Sequence, residues 1–351
     1  MTKIFLIRHA EAEGNLYRRA HGHYDGQIIG RGFAQIERLK ERFLHEKIDA
    51  VYSSDLSRTC LTASAIYEPH GLLLKTTERL REVNMGMWED MAWGGIEYNY
   101  PEMSYNFGGD PAKWSVEGSE EFHCVQTRMK DCILEIAKRH KGENVAAFSH
   151  GFAIRALVCK VLGIESCDIQ KVPYFDNTAV SLLLYDNDEL TIDYKGDNSH
   201  LTNENSTFAN QNWWRGEREA THENLRFIPL NTKRDCALFE CFRQVTGTKY
   251  NADMEYTAML GEEAVGLLGL SIDNENSARI DYIYVKPELN GKNFGIQLIG
   301  QAVSISRKLG FERLRVDISD KHPAVGFFEK LGFIKIDEIN RQSVMEKNIR
   351  I

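Results

Sequence analysis

The sequence predicts two successive α/β domains, the first built on a mostly parallel sheet with helices on both faces. Three observations carry this. From residue 4 to about residue 194, short apolar runs alternate with segments of helical period, the pattern of parallel strands joined by crossover helices. The stretch from Asp197 to Asn224 then loses its apolar period and becomes rich in Asn, Glu, Ser and Thr, as linkers do. From Leu225 the alternation restarts. Domains are therefore expected at residues 1–200 and 225–351, joined by a linker over 201–224.

The elements follow in order. Ile4 to Ile7 is a buried strand that breaks into Arg8 and His9. Apolar residues at 33, 36, 39 and 43 mark a helix from Gly32 to Glu46. Residues 48–52 form a second strand, and Ser53-Ser54-Asp55 supply capping side chains for a helix from Leu56 to Tyr67 with Arg58 in its first turn. A cation there is disfavoured by the helix dipole and asks for an anionic partner. Residues 85–122 are aromatic-rich with little period, a structured excursion suited to covering a cleft or to packing a satellite core. A helix from Phe122 to Arg139, a strand at 144–148 ending in Ser149-His150-Gly151, a helix to Leu162 and a hairpin over 179–194 complete the first domain.

Composition narrows the function classes. A net charge of −8 argues against a general binder of nucleic acid or anionic membrane, yet says nothing against one basic cleft. Seven cysteines without C-x-x-C pairs read as reduced thiols of a cytoplasmic protein. No apolar run approaches the ~20 residues of a membrane span, and only Thr2 and Lys3 separate Met1 from the first strand, leaving no room for a signal peptide.

In open α/β sheets ligands bind beyond the carboxyl ends of the strands. The strand ends here deliver Arg8-His9, Arg58 and His150 to one edge. Two arginines converging with two histidines suit a phosphoryl group, because guanidinium matches phosphate oxygens bidentately. Glu82 is the carboxylic acid best placed to protonate a leaving oxygen.

Four ordered blocks then carry a resemblance. Leu6-Ile7-Arg8-His9-Ala10-Glu11 resembles the Arg-His-Gly signature of the histidine phosphatase (phosphoglycerate-mutase-like) superfamily, with Ala10 at the usual glycine. Tyr52 to Thr59 resembles its second arginine motif, Leu80-Arg81-Glu82 its acid motif and Phe148 to Gly151 its second histidine motif. The resemblance implies a three-layer α/β/α domain and these roles: His9 attacks phosphorus, Arg8, Arg58 and His150 hold the oxygens with help from Asn15, and Glu82 handles the leaving-group proton. It implies no metal. The covering segment is acidic and aromatic, with Lys113 the only basic residue between Asp90 and Phe122. This favours a phosphomonoesterase over a mutase, which must retain a highly anionic sugar acid.

The second half reads as a helix at 234–246, strands at 254–260, 264–272 and 278–285, a helix at 296–309, a strand at 314–318, a helix at 324–331 and a final strand at 343–347. Strand, glycine-bearing loop and helix N-terminus in sequence make a plausible pyrophosphate cradle. Tyr284-Val285-Lys286-Pro287 before that loop and Phe328 to Phe333 near the end resemble the GNAT acyltransferase fold. The resemblance implies acetyl-CoA at Val285, Gly291, Asn293 and Gly295, with an amine as acceptor. The family's Arg/Gln-x-x-Gly-x-Gly/Ala loop is here Asn290, Asn293 and Gly295, and Phe328 stands where many members carry a proton-donating tyrosine. Three readings stay open for this half: an acetyltransferase with Asp281 or Glu288 as base, a CoA-binding sensor, and a structural partner. Trp213 and Trp214 are expected to dock on one of the domains.

Overall fold

The computed structural model describes residues 1–211, 223–231, 233–246, 252–339 and 342–351. In chain order the first half runs β1 (Thr2–Arg8), α1 (Glu13–Tyr17), α2 (Gly30–Phe43), β2 (Ala50–Ser53), α3 (Ser57–Tyr67), β3 (Leu74–Thr76) and α4 (Trp93–Asn99). It continues through α5 (Pro101–Gly109), α6 (Phe122–Arg139), β4 (Asn144–Ser149), α7 (Gly151–Leu162), β5 (Val180–Asp186), β6 (Glu189–Asp197) and α8 (Thr207–Asn210). The second half runs β7 (Arg226–Pro229), α9 (Cys236–Thr246), β8 (Met254–Leu260), β9 (Glu263–Asn274), β10 (Ser277–Val285) and α10 (Phe294–Lys308). It ends with β11 (Arg313–Ser319), α11 (Val325–Lys330), β12 (Ile334–Ile339) and β13 (Gln342–Asn348).

The chain divides into two compact units. The first gathers Met1–Ala12, Ala20–Glu89 and residues 100–211. Its sheet has the order β3-β2-β4-β1-β5-β6, parallel from β3 to β1 and antiparallel beyond. Side chains alternate across a strand, and β1 shows the result. Phe5 and Ile7 pack with Ile36, Leu39 and Phe43 of α2 and Ala63 and Ile66 of α3, while Ile4 and Leu6, fully buried, point to the opposite face, where α6 and α7 pack on β1. This is the expected three-layer α/β/α arrangement.

Two local expectations are corrected. Asp55 does not cap α3, because its carboxylate is taken by Arg81. Both oxygens of Asp25 accept the Ser57 N–H instead, at 3.0 and 2.9 Å. The start of the expected linker is also held: Gln35 Nε2 donates to Thr207 Oγ1 at 3.0 Å and Ser206 Oγ to Asp176 at 2.5 Å. These contacts are polar and leave no apolar period to read. Trp213 and Trp214 lie outside the described residues.

The second unit gathers residues 223–351 with two segments of the first half, Glu13–Arg19 and Asp90–Asn99. Its sheet order is β12-β13-β11-β10-β9-β8-β7, with only β10 and β11 parallel. Helices α10 and α11 cover one face and α9 the other. A β-bulge between Ile280 and Tyr282 switches the parity of β10. Ala278 and Ile280 face α10, whereas Tyr282 and Tyr284 face α9. The two borrowed segments are integral to this core. Tyr17, 2% exposed, sits among Leu298, Ile299 and Ala302. Arg19 pairs with Asp90 at 2.7 Å, Ser304 Oγ donates to Asp90 at 2.5 Å, and Glu13 pairs with Arg307 at 2.7 Å, so each of these buried charges has a partner.

Gly300 is what lets Tyr17 approach α10, since a Cβ built there lies 2.4 Å from the Tyr17 Cβ. Gly300→Val is expected to lower stability by about 1–3 kcal/mol through overpacking. Gly326→Ala on α11, where a Cβ meets nothing within 4 Å, is expected to be neutral or to stabilise by up to about 1 kcal/mol. Denaturant unfolding of the full chain checks both, and equal midpoints for the two variants would contradict the packing.

Candidate active site

The first unit brings Arg8, His9, Arg58, Glu82 and His150 together at the carboxyl ends of its parallel strands. Arg8 ends β1, and the next N–H, of His9, donates to Ser149 O at 3.0 Å at the end of the neighbouring strand β4. His9 and His150 therefore emerge side by side, with ring centroids 5.2 Å apart. Asn177 Nδ2 donates to His9 O at 2.9 Å, and Thr178, at a left-handed φ of 58°, donates its N–H to Arg8 O at 3.1 Å. These two residues pin the backbone of the Arg-His pair. They carry no motif of their own in the sequence.

Hydrogen bonding sets the imidazole tautomers. His9 Nδ1 lies 2.7 Å from the Ala10 carbonyl, which only accepts, so Nδ1 carries the proton and Nε2 the lone pair. His150 is the reverse. Its Nδ1 accepts from Arg58 Nε at 3.3 Å, so Nε2 is the N–H. That His150 Nε2 is buried without a partner among the described residues, as is Arg8 Nε. The site thus holds one imidazole lone pair and two buried donors unpaired among the described residues, an arrangement that an oxyanion with an electrophilic centre would complete.

Arg58 is 2% exposed and does not reach solvent. Its Nη1 donates to Tyr24 O at 2.8 Å and its Nη2 to Gly22 O at 2.7 Å, with the Asp25 carboxylate at 3.7 Å. Burial, reinforced by Arg58 and Arg8, holds the His9 pKa well below its ordinary value of 6.5. Burial, then Arg58 and His9, does the same to His150. Both rings are neutral at pH 7. The Glu82 carboxylate accepts the N–H groups of Phe152 at 3.0 Å and Ala153 at 2.8 Å, which fixes it at the start of α7 beside His150. Phe152 stacks on Phe107 at 4.8 Å, and Trp88 and Trp114 pack against Phe107. Part of the aromatic excursion is therefore a satellite core adjoining the site. Asn15 stands on α1, inside the second unit.

In the second unit, β10 and β11 pair only from Ser277↔Arg313 to Ile280↔Val316 and then part at the bulge. Val285 ends β10, Gly291 has φ 81°, and Asn293 takes the left-handed φ of 65° open to asparagine. Asn293 is the N-cap of the 15-residue α10 and makes no side-chain cap. Gly295 follows in the first turn, its built Cβ 3.3 Å from the Phe327 ring. Backbone donors at a long helix N-terminus fit the diphosphate of acetyl-CoA. The side chains nearby fit proton transfer less well. Phe328 is buried against Phe327 and Phe333, Asp281 is engaged by Ser271 and Arg279, and Glu288 is exposed.

The three-layer fold resembles that of phosphoglycerate-mutase-like proteins. Residues 4–198 match the family model of the histidine phosphatase superfamily (branch 1), and the chain belongs to that superfamily. Residues 213–333 match the model of the acetyltransferase (GNAT) family, so the second domain is of GNAT type. Phosphoserine phosphatase 1 of Hydrogenobacter thermophilus is 35% identical over 185 residues, covering 52% of this chain and 86% of that protein. Phosphoglycerate mutase-like protein 4 of Arabidopsis thaliana is 32% identical over 204 residues, covering 57% and 87%. Among solved structures, Bacillus stearothermophilus YhfR is 28% identical with a TM-score of 0.55, covering 57% of this chain and 99% of that one. Among the described residues no helix is long and apolar enough to cross a membrane.

The depressed histidine pKa values make stability depend on pH. Unfolded histidines take up protons near 6.5, while folded His9 and His150 resist until well below it. Their contribution is complete above pH 6.5 and is lost as pH falls from there towards the folded values. The Tm is expected to be flat from pH 8 to 7 and to decline below 6.5, with a shallower decline in the His9→Asn, His150→Asn double variant. An identical slope in wild type and double variant would exclude these two rings as the cause.

Proposed function

We propose that the first unit is a metal-independent phosphomonoesterase working through a phosphohistidine on His9. The observation that supports this is a neutral His9 whose Nε2 keeps the lone pair, in a site where Arg8 Nε and His150 Nε2 are buried donors without a hydrogen-bond partner among the described residues. In the first step His9 Nε2 bonds to phosphorus, the ester P–O bond breaks, and Glu82 gives its proton to the leaving oxygen. In the second, water attacks phosphorus, Glu82 takes its proton, and the P–N bond breaks to release phosphate and His9. Arg8, Arg58 and His150 hold the phosphoryl oxygens and stabilise the charge that develops on them. The guanidinium groups supply the positive charge that a metal supplies elsewhere.

Hydrolysis is favoured over mutase chemistry because the excursion offers little charge to retain a second anionic group. Its one lysine, Lys113, pairs with Asp110 at 3.0 Å. The similarity to the Hydrogenobacter thermophilus phosphoserine phosphatase supports phosphoserine as a first substrate to try. With phosphoserine or an aryl phosphate in chelator-treated buffer, wild type is expected to release phosphate and leave an acid-labile phosphoenzyme on quenching. His9→Ala is expected to lose ~10³-fold or more of the rate. Interconversion of phosphoglycerate isomers faster than phosphate release would replace the hydrolase with a mutase, and no turnover of either kind would leave a phosphate sensor.

For the second unit, we propose acetyl-CoA binding through the backbone of residues 291–295, with Val285 at the adjoining strand end. When bound, the cofactor supplies an acyl group to an amine acceptor. The chain's own part is to hold the diphosphate at the α10 N-terminus and to admit the acyl arm where β10 and β11 part. Acetyl-CoA at ~100 times its Kd is expected to add about 2.7 kcal/mol of stability. Gly291→Val, which forces a β-branched residue to a positive φ, is expected to remove that gain. A gain retained in full would locate the ligand elsewhere.

A further inference from the structure

We propose that Glu89 is a positioning residue for the phosphate site: its carboxylate fixes the backbone of residues 22–24, whose carbonyls aim the guanidinium of Arg58. Glu89 follows the short 3-10 turn Gly86–Trp88. Its Oε1 accepts the N–H groups of His23 at 2.7 Å and Met85 at 3.0 Å, and its Oε2 those of Gly22 at 3.1 Å and Tyr24 at 2.9 Å. A carboxylate has about four acceptor sites, so four backbone donors saturate it. The same three-residue stretch turns its carbonyls the other way, Gly22 O and Tyr24 O each accepting from Arg58. The next residue, Asp25, caps the helix that carries Arg58.

The geometry leaves little slack. A Cβ at position 22 would lie 2.2 Å from Val83 O and 2.5 Å from Glu89 Oε1, so only glycine lets the loop close on the carboxylate. His23 Nε2 lies 3.1 Å from Glu82 O, which ties the same loop to the residue assigned as proton donor. Arg58 has five N–H donors. Two go to the loop carbonyls and one to His150, which leaves two for a phosphoryl group in a direction the loop dictates. Glu89 touches none of the reacting atoms. Its effect passes through the loop to the arginine.

The inference rests on the reading that Arg58 holds the phosphoryl group, and the test separates the two. Glu89→Gln, Arg58→Ala and the double variant are compared in the full chain for kcat, KM, inhibition by inorganic phosphate and Tm. Glu89→Gln keeps the size but offers one oxygen acceptor and two donors where four donors converge. It is expected to lower kcat/KM about 10²-fold, to weaken phosphate inhibition, and to add less than about 2-fold to the loss already caused by Arg58→Ala. It should also move the acid limb of the pH–rate profile upward, because a misaimed Arg58 no longer depresses His9 and His150 as strongly. Additive losses, or wild-type kinetics in Glu89→Gln, overturn the positioning role. Wild-type kinetics in Arg58→Ala overturn the site reading instead. Should Glu89→Gln fold poorly, Gly22→Ala displaces the same loop from its other side and is expected to show the same non-additivity with Arg58→Ala; full additivity there would overturn the role as well.

Discussion

A guanidinium with 2% of its surface exposed is the constraint on which the first unit depends. Removing such a charge from water costs several kcal/mol, and the cost is offset only by well-placed acceptors and opposite charge. Arg58 finds the carbonyls of Gly22 and Tyr24, the Nδ1 of His150 and the nearby field of Asp25, Glu82 and Glu89. Each partner then acquires a function. The carbonyls require a loop held from behind. His150 is forced into the tautomer whose other nitrogen donates. His9, close to the same charge, is kept neutral. One buried cation thus organises both histidines and the loop.

What the sequence made legible follows from where side-chain chemistry meets strand ends. The pairs Arg8-His9 and Ser149-His150 each follow a fully apolar run, and a titratable group at that position has few reasons to be there except a site. Arg58 was readable as a cation in the wrong helical turn, although its answer is carbonyl oxygen more than a carboxylate. The supports were not readable. Asp25 caps a helix that begins 32 residues later, Glu89 reaches back 65 to 67 residues, and Asn177 holds a carbonyl 168 residues away. Such bonds run between a side chain and a backbone group. Any residue supplies the backbone group, so no residue pattern records the pair.

The second unit departs from its sequence pattern in a different way. Ala278-Arg279-Ile280-Asp281-Tyr282 alternates apolar and charged residues, a period that would put Ala278, Ile280 and Tyr282 on a single face of a straight strand. The bulge breaks that rule. It places the tyrosines on the α9 side and coincides with the end of β10–β11 pairing. The segments 13–19 and 90–99 were also illegible as part of this unit, because Tyr17 and Ile96 are ordinary apolar residues in short helices of the other half of the sequence. β12 went unread for a simpler reason. All six of its residues are exposed, so no buried face exists to generate a period.

The two halves therefore store their chemistry in different parts of the polypeptide. In the first, the chemistry proposed above would reside in side chains, His9 foremost. In the second, the parts that fit a ligand are backbone: the first N–H groups of α10, two residues at positive φ and the opening between two strands. A backbone site tolerates sequence change wherever the new residue accepts the old dihedral. Asn293 in place of the family's glycine is such a change, since asparagine enters the left-handed region at modest cost. Phe328 in place of a tyrosine is not, since a phenyl ring sealed against Phe327 and Phe333 has no proton to give. The same comparison with the family pattern thus separates into two physical statements: the loop before α10 keeps a backbone that suits the proposed ligand, and Phe328 offers no proton.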